Sequence, residues 1–462
     1  MEFVIGIILV LTFFGLAYYC VKGHNLMIGF LIISIVWTAL SLLGTLVASP
    51  TFIAENPILQ FGGDSGTTLV SILNKIYQSA PEGWGTTLVN VCWGAWFGRV
   101  LMETGIASTL IRKTVELGGD RPIITIVLLN VVTAFIFTAM MGAGPVIAIG
   151  VIVLPILMSL GIPKAIAMFT FMGSVSAGMY LNPVLQFSQL RAFICASDEM
   201  PEFTFSWYTS HWGIYALIIS VVVVSVLTGI YLKIGKKSHA QAAPKNTQTD
   251  APLIALILPI VPVVLKIWLD FSVIGGFVIA GFAALFLCGK MNKSFKENCQ
   301  LVNKLYYDGV VDTAPLVGFL LTLPMFNTCA SYASPYFKEV LGGIMPTNEY
   351  VVCALFAALS ILGFFRGPLT LYGCGAATLG VLSSVGHFSV PFLFCVFTIP
   401  ATTVNVGSCI TQSWIAWGLA YTKVESRDYL KLSIPFAYIC SILLYILTAF
   451  TVTGLGPEWF LS

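Results

Sequence analysis

Two long apolar stretches of this chain are broken in the middle by residues that stop a helix. Residues 122–160 are interrupted at Met141-Gly142-Ala143-Gly144-Pro145, and residues 350–385 at Arg366-Gly367-Pro368. Gly and Pro end helical hydrogen bonding and leave backbone groups without partners. At membrane depth such backbone survives only where it is buried in protein or lines a cavity. An arginine there costs a further 2.5–3.5 kcal/mol or so at a helix centre. Arg366 therefore has two readings: a cytoplasmic loop charge obeying the positive-inside rule, or a charge held at the wall of an internal site. Residues 122–160 likewise read either as two full spans or as a helical hairpin that enters the membrane and returns.

Composition places both stretches in lipid. The 462 residues are 58% hydrophobic and 9% charged, against about 25% charged in soluble domains. The chain reads as an all-α polytopic membrane protein with no separate soluble domain. A net charge of +2 offers nothing to nucleic acid. The 11 cysteines are scattered singly, as at Cys92, Cys288, Cys374 and Cys409, with no CxxC pair. They suggest neither a metal site nor a disulfide frame, and no cofactor is expected. Only Glu2 precedes the first apolar run, which reads as a span and not as a cleaved signal.

In chain order, spans are expected over about 3–20, 26–48 and 86–106, a span needing about 20 apolar residues. A mixed loop at 49–85 is placed outside. Arg99 and Glu103 lie four apart on the third span, the spacing of a paired structural role. Residues 107–118 read as a basic amphipathic helix at the inner surface. After the first broken stretch come 163–179 and a polar interruption, Tyr180-Leu181-Asn182-Pro183-Val184-Leu185-Gln186. An external acidic segment at 198–202 and a span at 211–232 lead to residues 233–250. That stretch, with Lys233, Lys236, Lys237 and Lys245, is a linker of low apolar content near the middle. The second half repeats the order. Spans are expected at 253–269 and 273–287, then a basic amphipathic segment, a span at 310–330 and a surface segment to Pro346. The second broken stretch follows, then 391–399 and a second interruption from Ala401 to Ser408. A basic segment at 423–431 and a last span at 434–452 close the chain.

A shift of 223 residues carries Gly144-Pro145 onto Gly367-Pro368, Asn182 onto Asn405 and Gln189 onto Gln412. The matches fall on residues that break or polarise helices. The positive-inside rule orients the halves. With the N-terminus outside, Arg112, Lys113, Lys164, the linker lysines, Lys290, Lys293, Lys296, Lys304, Lys423 and Lys431 all gather inside. The segment after Gln189 is acidic and outside, while the one after Gln412 is basic and inside. The expected architecture is therefore two inverted-topology repeats, 1–232 and 251–462, joined by a cytoplasmic linker at 233–250. Each has scaffold spans, a helical hairpin and a broken helix, and both termini are outside. Inverted repeats with paired broken helices are the architecture of secondary transporters.

Two hairpin tips and two unwound helices would then meet near the midplane. Freed N–H groups and half-helix N-termini suit an anion, and freed carbonyls suit a cation. Candidate substrate-binding residues are Gly142, Ala143, Gly144, Pro145, Asn182, Gln186, Arg366, Gly367, Pro368, Thr370, Asn405 and Ser408. The guanidinium of Arg366 would supply a fixed fork for a carboxylate. Helix-to-helix hydrogen bonding is the other reading of Asn182 and Asn405. Coupling-ion candidates are Asn182, Asn405 and Asp312. Asp308 and Asp312, at the start of a span, and His387, after the second hairpin, are titratable groups, each also compatible with a place at the surface.

The segment Gly83-Trp84-Gly85-Thr86-Thr87-Leu88, running to Gly98-Arg99 and Thr104-Gly105, is similar to the one that opens the first transport unit of gluconate permeases. Lys22-Gly23 after the first span looks like an anaerobic C4-dicarboxylate carrier. With these segments and the order of elements over nearly the whole chain, the sequence resembles the ion transporter superfamily of organic-anion carriers. The nearest look is to the gluconate permease family and related C4-dicarboxylate and citrate carriers. The resemblance implies hairpin tips at Gly142 to Pro145 and at Arg366 to Pro368, broken helices at Asn182 and Asn405, and an elevator-like motion. The chain departs from the Ser-Asn-Thr tips of sodium-coupled dicarboxylate carriers and from the His-x-Asn-Asp run of gluconate permeases, where it has Val404-Asn405-Val406-Gly407.

The expected function is cation-coupled symport, with H+ or Na+, of a small organic anion across the inner (plasma) membrane by alternating access. The alternative is a Na+/H+ exchanger without organic substrate. No nucleophile motif supports an enzyme. The expected partners are a small carboxylate, H+ or Na+ and membrane lipid, with a homodimer left open as the assembly.

Overall fold

The structure is a computed structural model describing residues 1–21, 24–60, 68–118, 122–140, 142–195, 200–234, 250–343, 346–373 and 375–455. Among these the chain is helical, with no β-strand. Two apolar helices open it, α1 (Glu2–Val21) and α2 (Leu26–Val47). Short helical turns such as Pro50–Glu55 and Leu69–Asn74 lead to α3 (Gly85–Glu103) and α4 (Ile106–Gly118), which part at Gly105, φ +72°. Then come α5 (Pro122–Phe137), α6 (Ala143–Ser159) and α7 (Lys164–Met179). A wide π-turn at Pro183–Ser188 and the short α8 (Gln189–Ile194) follow. A continuous rod, α9, spans Phe205–Ile234.

The second half has α10 (Val261–Leu269), α11 (Val273–Leu287), α12 (Phe295–Leu341), α13 (Glu349–Ala358), α14 (Gly375–Val385) and α15 (Val390–Ile399). A second π-turn, Pro400–Val406, precedes α16 (Ser413–Thr422) and α17 (Ser426–Thr451). The order α5, break, α6, α7, π-turn thus recurs as α13, break, α14, α15, π-turn.

Burial sorts the helices into shells. Every residue of α7 from Ile166 to Met179 is buried, as is every residue of α15 and of the π-turn after it. A helix apolar all round belongs inside, and these two lead into the broken segments. Helix α7 packs against α5, α6, α9 and α17, and α12 packs against α1, α2, α3 and α14. On α9 the exposed apolar side chains Ile214, Ile218, Val222, Val226 and Ile230 recur every fourth residue, a stripe facing lipid. Met27–Val47, Phe205–Ile234 and Ser426–Thr451 are long and apolar enough to cross a membrane. Glu349–Ala358 with Ser360–Arg366 makes a fourth such unit, bent by 64°.

Four expectations are corrected. Residues 290–346 do not divide into a surface helix, a span and a surface segment. Phe295–Leu341 is instead one helix of 47 residues, α12, begun by a Ser294–Glu297 capping box. It is about 70 Å long at 1.5 Å per residue and runs on through Pro315, Pro324 and Pro335. The first half breaks at Gly105, whereas the residue one repeat later is Thr328, which has no left-handed preference. Residues 253–269 are also not one α-helix: Pro252, Pro259 and Pro262 remove donors, and Leu253–Ile260 winds as a tighter 3₁₀ turn. The span expected at 211–232 begins six residues earlier, at Phe205. The basic segment at 423–431 runs from Lys423, the C-cap of α16, into the first two turns of α17. Most of the linker, 235–249, lies outside the described residues, as do Lys22, Gly23 and the acidic residues 198–199.

For 122–160 the lengths favour the hairpin. Helices α5 and α6 have 16 and 17 residues, short of the roughly 20 that a span needs.

The two halves meet at a point the repeat singles out. Tyr180 and Thr403 share a hydrogen bond, Oη to Oγ1, of 2.6 Å, and they are 223 residues apart. Such a contact between a residue and its repeat counterpart is what the expected inverted repeat requires close to its pseudo-two-fold axis. Both are buried, so Tyr180→Phe should lower stability by about 1 kcal/mol. Combined with Thr403→Val it should cost less than the sum of the single changes. Thermal unfolding in detergent measures both; strict additivity would break the axis contact.

Candidate functional site

The two hairpin tips and the two broken helices enclose one cavity of about 320 Å³. The first tip contributes Gly142 and Ala143, and the first broken helix Met179 and Gln186. Helix α12 gives Asp312 and Thr313, and the second tip gives Arg366 and Tyr372. The second broken helix contributes Val406, Thr411, Gln412, Ser413 and Trp414.

The turn of the first tip ends at Gly142, whose φ of +90° is open only to residues that tolerate the left-handed region. Ala143, Gly144 and Pro145 already belong to α6. Pro145 is tolerated there because a first-turn N–H has no helical partner to lose. The second tip is built differently. Ser360–Arg366 holds tight 3₁₀ turning broken by a kink, where Phe364 is extended (φ −69°, ψ 159°) and Phe365 and Arg366 take φ of +54° and +58°. Left-handed backbone costs a non-glycine residue about 1–2 kcal/mol, so two in succession need outside support. Phe365 N–H donates to Cys409 Sγ (3.1 Å), and Arg366 Nη1 donates to the carbonyl of Tyr372 (3.0 Å). These contacts hold the half-buried guanidinium at the cavity wall.

Two helix N-termini also face the cavity. Helix α6 starts behind Gly142, which has no side chain to cap it, and α16 behind Gln412, whose side chain does not bond the first turn. Orphan N–H groups and the positive end of the helix dipole therefore point toward the same space.

Asn182 and Asn405 sit behind the wall and hold the hairpins. Asn182 Nδ2 donates to the carbonyls of Met140 (3.1 Å) and Phe137 (3.3 Å) at the end of α5. Its Oδ1 accepts from Val184 N–H (3.1 Å). Asn405 Oδ1 accepts from Gln412 Nε2 (2.7 Å), and its Nδ2 reaches Thr370 Oγ1 (3.4 Å). Each asparagine thus ties a broken helix to its own hairpin, the helix-to-helix reading of the sequence. Gln186 donates to Thr402 Oγ1 in the second broken helix.

Of the residues singled out from sequence, Gly142, Ala143, Gln186, Arg366 and Asp312 line the cavity. Gly144 lies against Asp312, Pro145 faces Gly98, and Pro368 accepts a hydrogen bond from Thr378 in the second tip. Gly367 follows Arg366 in that turn, with Phe364 O accepting from its N–H. Ser408 turns away from the cavity to donate to Thr403 O. His387 is exposed.

Arg99 does not pair with Glu103. Its Nε and Nη2 donate to Asp312 Oδ2 and Oδ1, both at 2.6 Å, while Glu103 meets Lys290 at 3.4 Å. The planar fork matches a carboxylate on the facing helix better than one on its own. Sequence reasoning also missed Tyr372, Thr411, Ser413 and Trp414. Only Gln412 carried a signal, through its repeat partner Gln189.

No protein-family model and no curated protein sequence matches the chain. Among solved structures it is similar to the YdaH transporter of Alcanivorax borkumensis, described as having an unusual topology. The two are 13% identical, with 92% of this chain and 98% of that one covered and a TM-score of 0.56. At that identity the likeness is one of fold: this chain is an all-α polytopic membrane protein sharing the YdaH architecture.

Proposed function

We propose that this chain is a secondary active transporter for a small organic anion such as gluconate, a C4-dicarboxylate or citrate. It would work by alternating access in symport with H+ or Na+. One observation carries the reading: two helix N-termini and Arg366 line one cavity at the junction of two hairpins and two broken helices. Three sources of positive potential in an enclosed space suit a carboxylate. The volume lies at the small end of ligand pockets. The fold likeness to YdaH, itself a transporter, supports the class. The proposal takes 1–232 and 251–462 as oppositely oriented halves. Exchange of Na+ for H+ without organic substrate is less well supported, because the same positive groups repel a bare cation.

A thermal-shift screen of the purified protein with gluconate, succinate and citrate, with and without Na+, tests the reading, since a ligand stabilises the state it binds. At least one acid should raise the melting temperature. Arg366→Lys keeps the charge and loses the planar fork, so the apparent KM should rise about tenfold. Arg366→Gln should nearly abolish uptake. Wild-type affinity in the Lys variant would remove Arg366 from the site.

Asn182→Ala and Asn405→Ala should each slow uptake strongly and lower stability by about 1–3 kcal/mol, because each leaves buried partners unsatisfied. Unchanged uptake and melting in either variant would mean its hairpin is held by other contacts.

A further inference from the structure

A second cavity, of about 260 Å³, lies beside the first and is lined by Arg99, Glu103, Ser108, Ala148, Lys304 and Asp308, among others. Asp312 lines the central cavity and Arg99 lines this charged vestibule, so their two-pronged ion pair is the partition between them. Lys304, Asp308 and Asp312 are spaced four apart on α12 and share one face, about 6 Å per step. The tip of the first hairpin presses on the same carboxylate: a Cβ on Gly144 would fall 2.2 Å from Asp312 Oδ2. A carboxylate that faces the proposed substrate cavity, touches the first hairpin tip and continues into a charged vestibule is placed to link an ion to the substrate.

We propose that Asp312 carries the coupling proton, received from the vestibule through Asp308, and that its protonation opens the Arg99 bridge as the anion binds. The inference rests on the carboxylate-transport reading. The step is a proton transfer alone. A proton moves from vestibule water to the Asp308 carboxylate and on to Asp312, an O–H bond forms there, and the two Arg99 hydrogen bonds are released. Charge balance favours it. Arg99 already balances Asp312 and Arg366 faces the entering carboxylate, so a proton taken up on Asp312 returns the cavity to the total charge it had before the anion bound. A sodium ion at Asp312 would sit beside the Arg99 guanidinium, a like-charge contact that a neutralising proton avoids. The charged groups around Asp312 are Arg99 and Glu103 on α3, with Lys290 paired to Glu103, Lys304 and Asp308 on α12, and Arg366 across the cavity. The neighbouring first turns of α6 contribute Gly144 and Ala148, which do not titrate.

The full chain in proteoliposomes tests this with radiolabelled gluconate, succinate and citrate under an imposed pH gradient or an imposed Na+ gradient. Wild type should accumulate one acid on the pH gradient, with the ratio changing about tenfold per pH unit for one proton. In Asp312→Asn that accumulation should be lost, and any remaining exchange should not depend on pH. Asp312→Glu should restore the pH-driven accumulation. Arg99→Gln combined with Asp312→Asn replaces the ion pair by neutral hydrogen-bonding groups, guarding against simple misfolding, and should also lack it. Wild type driven by Na+ and not by pH overturns the proton assignment while leaving carboxylate transport standing. Accumulation on the pH gradient in either Asn variant overturns the role of Asp312. Exchange of none of the three acids by wild type overturns the carboxylate reading, and this inference with it.

Discussion

A backbone polar group without a partner costs several kcal/mol in hydrocarbon, and the arrangement of this protein follows from it. Four of the segments that leave the α-helical pattern surround the cavity: the two hairpin tips and the π-turns at Pro183–Ser188 and Pro400–Val406. All four lie at the centre, walled by α7 and α15, in which nearly every residue is buried. The freed carbonyls of Phe137 and Met140 are taken up by Asn182. Thr370, just past the second tip, and Gln412, beyond the second π-turn, are joined through Asn405. The asparagines are thus the condition for having a cavity at all, because they make irregular backbone tolerable there.

The same constraint explains why the cavity is polar in a selective way. Backbone that cannot be helical must still point its groups somewhere, and here two uncapped helix starts point them into one space. Arg366 adds to this at a local cost. Its left-handed backbone and that of Phe365 are held by Cys409 and by the carbonyl of Tyr372. Strain of that kind persists only where surrounding contacts impose it. On the opposite side Asp312 is balanced by Arg99, which closes the cavity toward the vestibule.

Much of this was legible in the residue pattern. Long apolar runs with few charges require helices in lipid, and the ends of α1, α2, α3 and α7 fall close to where the runs stop. Gly142, Pro145, Asn182, Pro368 and Asn405 mark the breaks because the chemistry of Gly, Pro and Asn is local: left-handed backbone, a missing donor, a short amide. The 223-residue shift carried by those residues reappears as the contact between Tyr180 and Thr403.

Contacts between distant segments were decided by the tertiary structure alone. The partner of Arg99 lies 213 residues away, and its i+4 neighbour Glu103 was the natural guess because sequence shows only neighbours along a helix. The continuity of α12 through three prolines depends on the helices packed along it, which no local propensity records. Which polar residues face the cavity depends on how α16 is tilted after the break. Ser408 therefore turns inward to Thr403 while Thr411, Ser413 and Trp414 line the wall. Local chemistry along the chain determined where helices must stop; only packing in three dimensions determined what the freed groups meet.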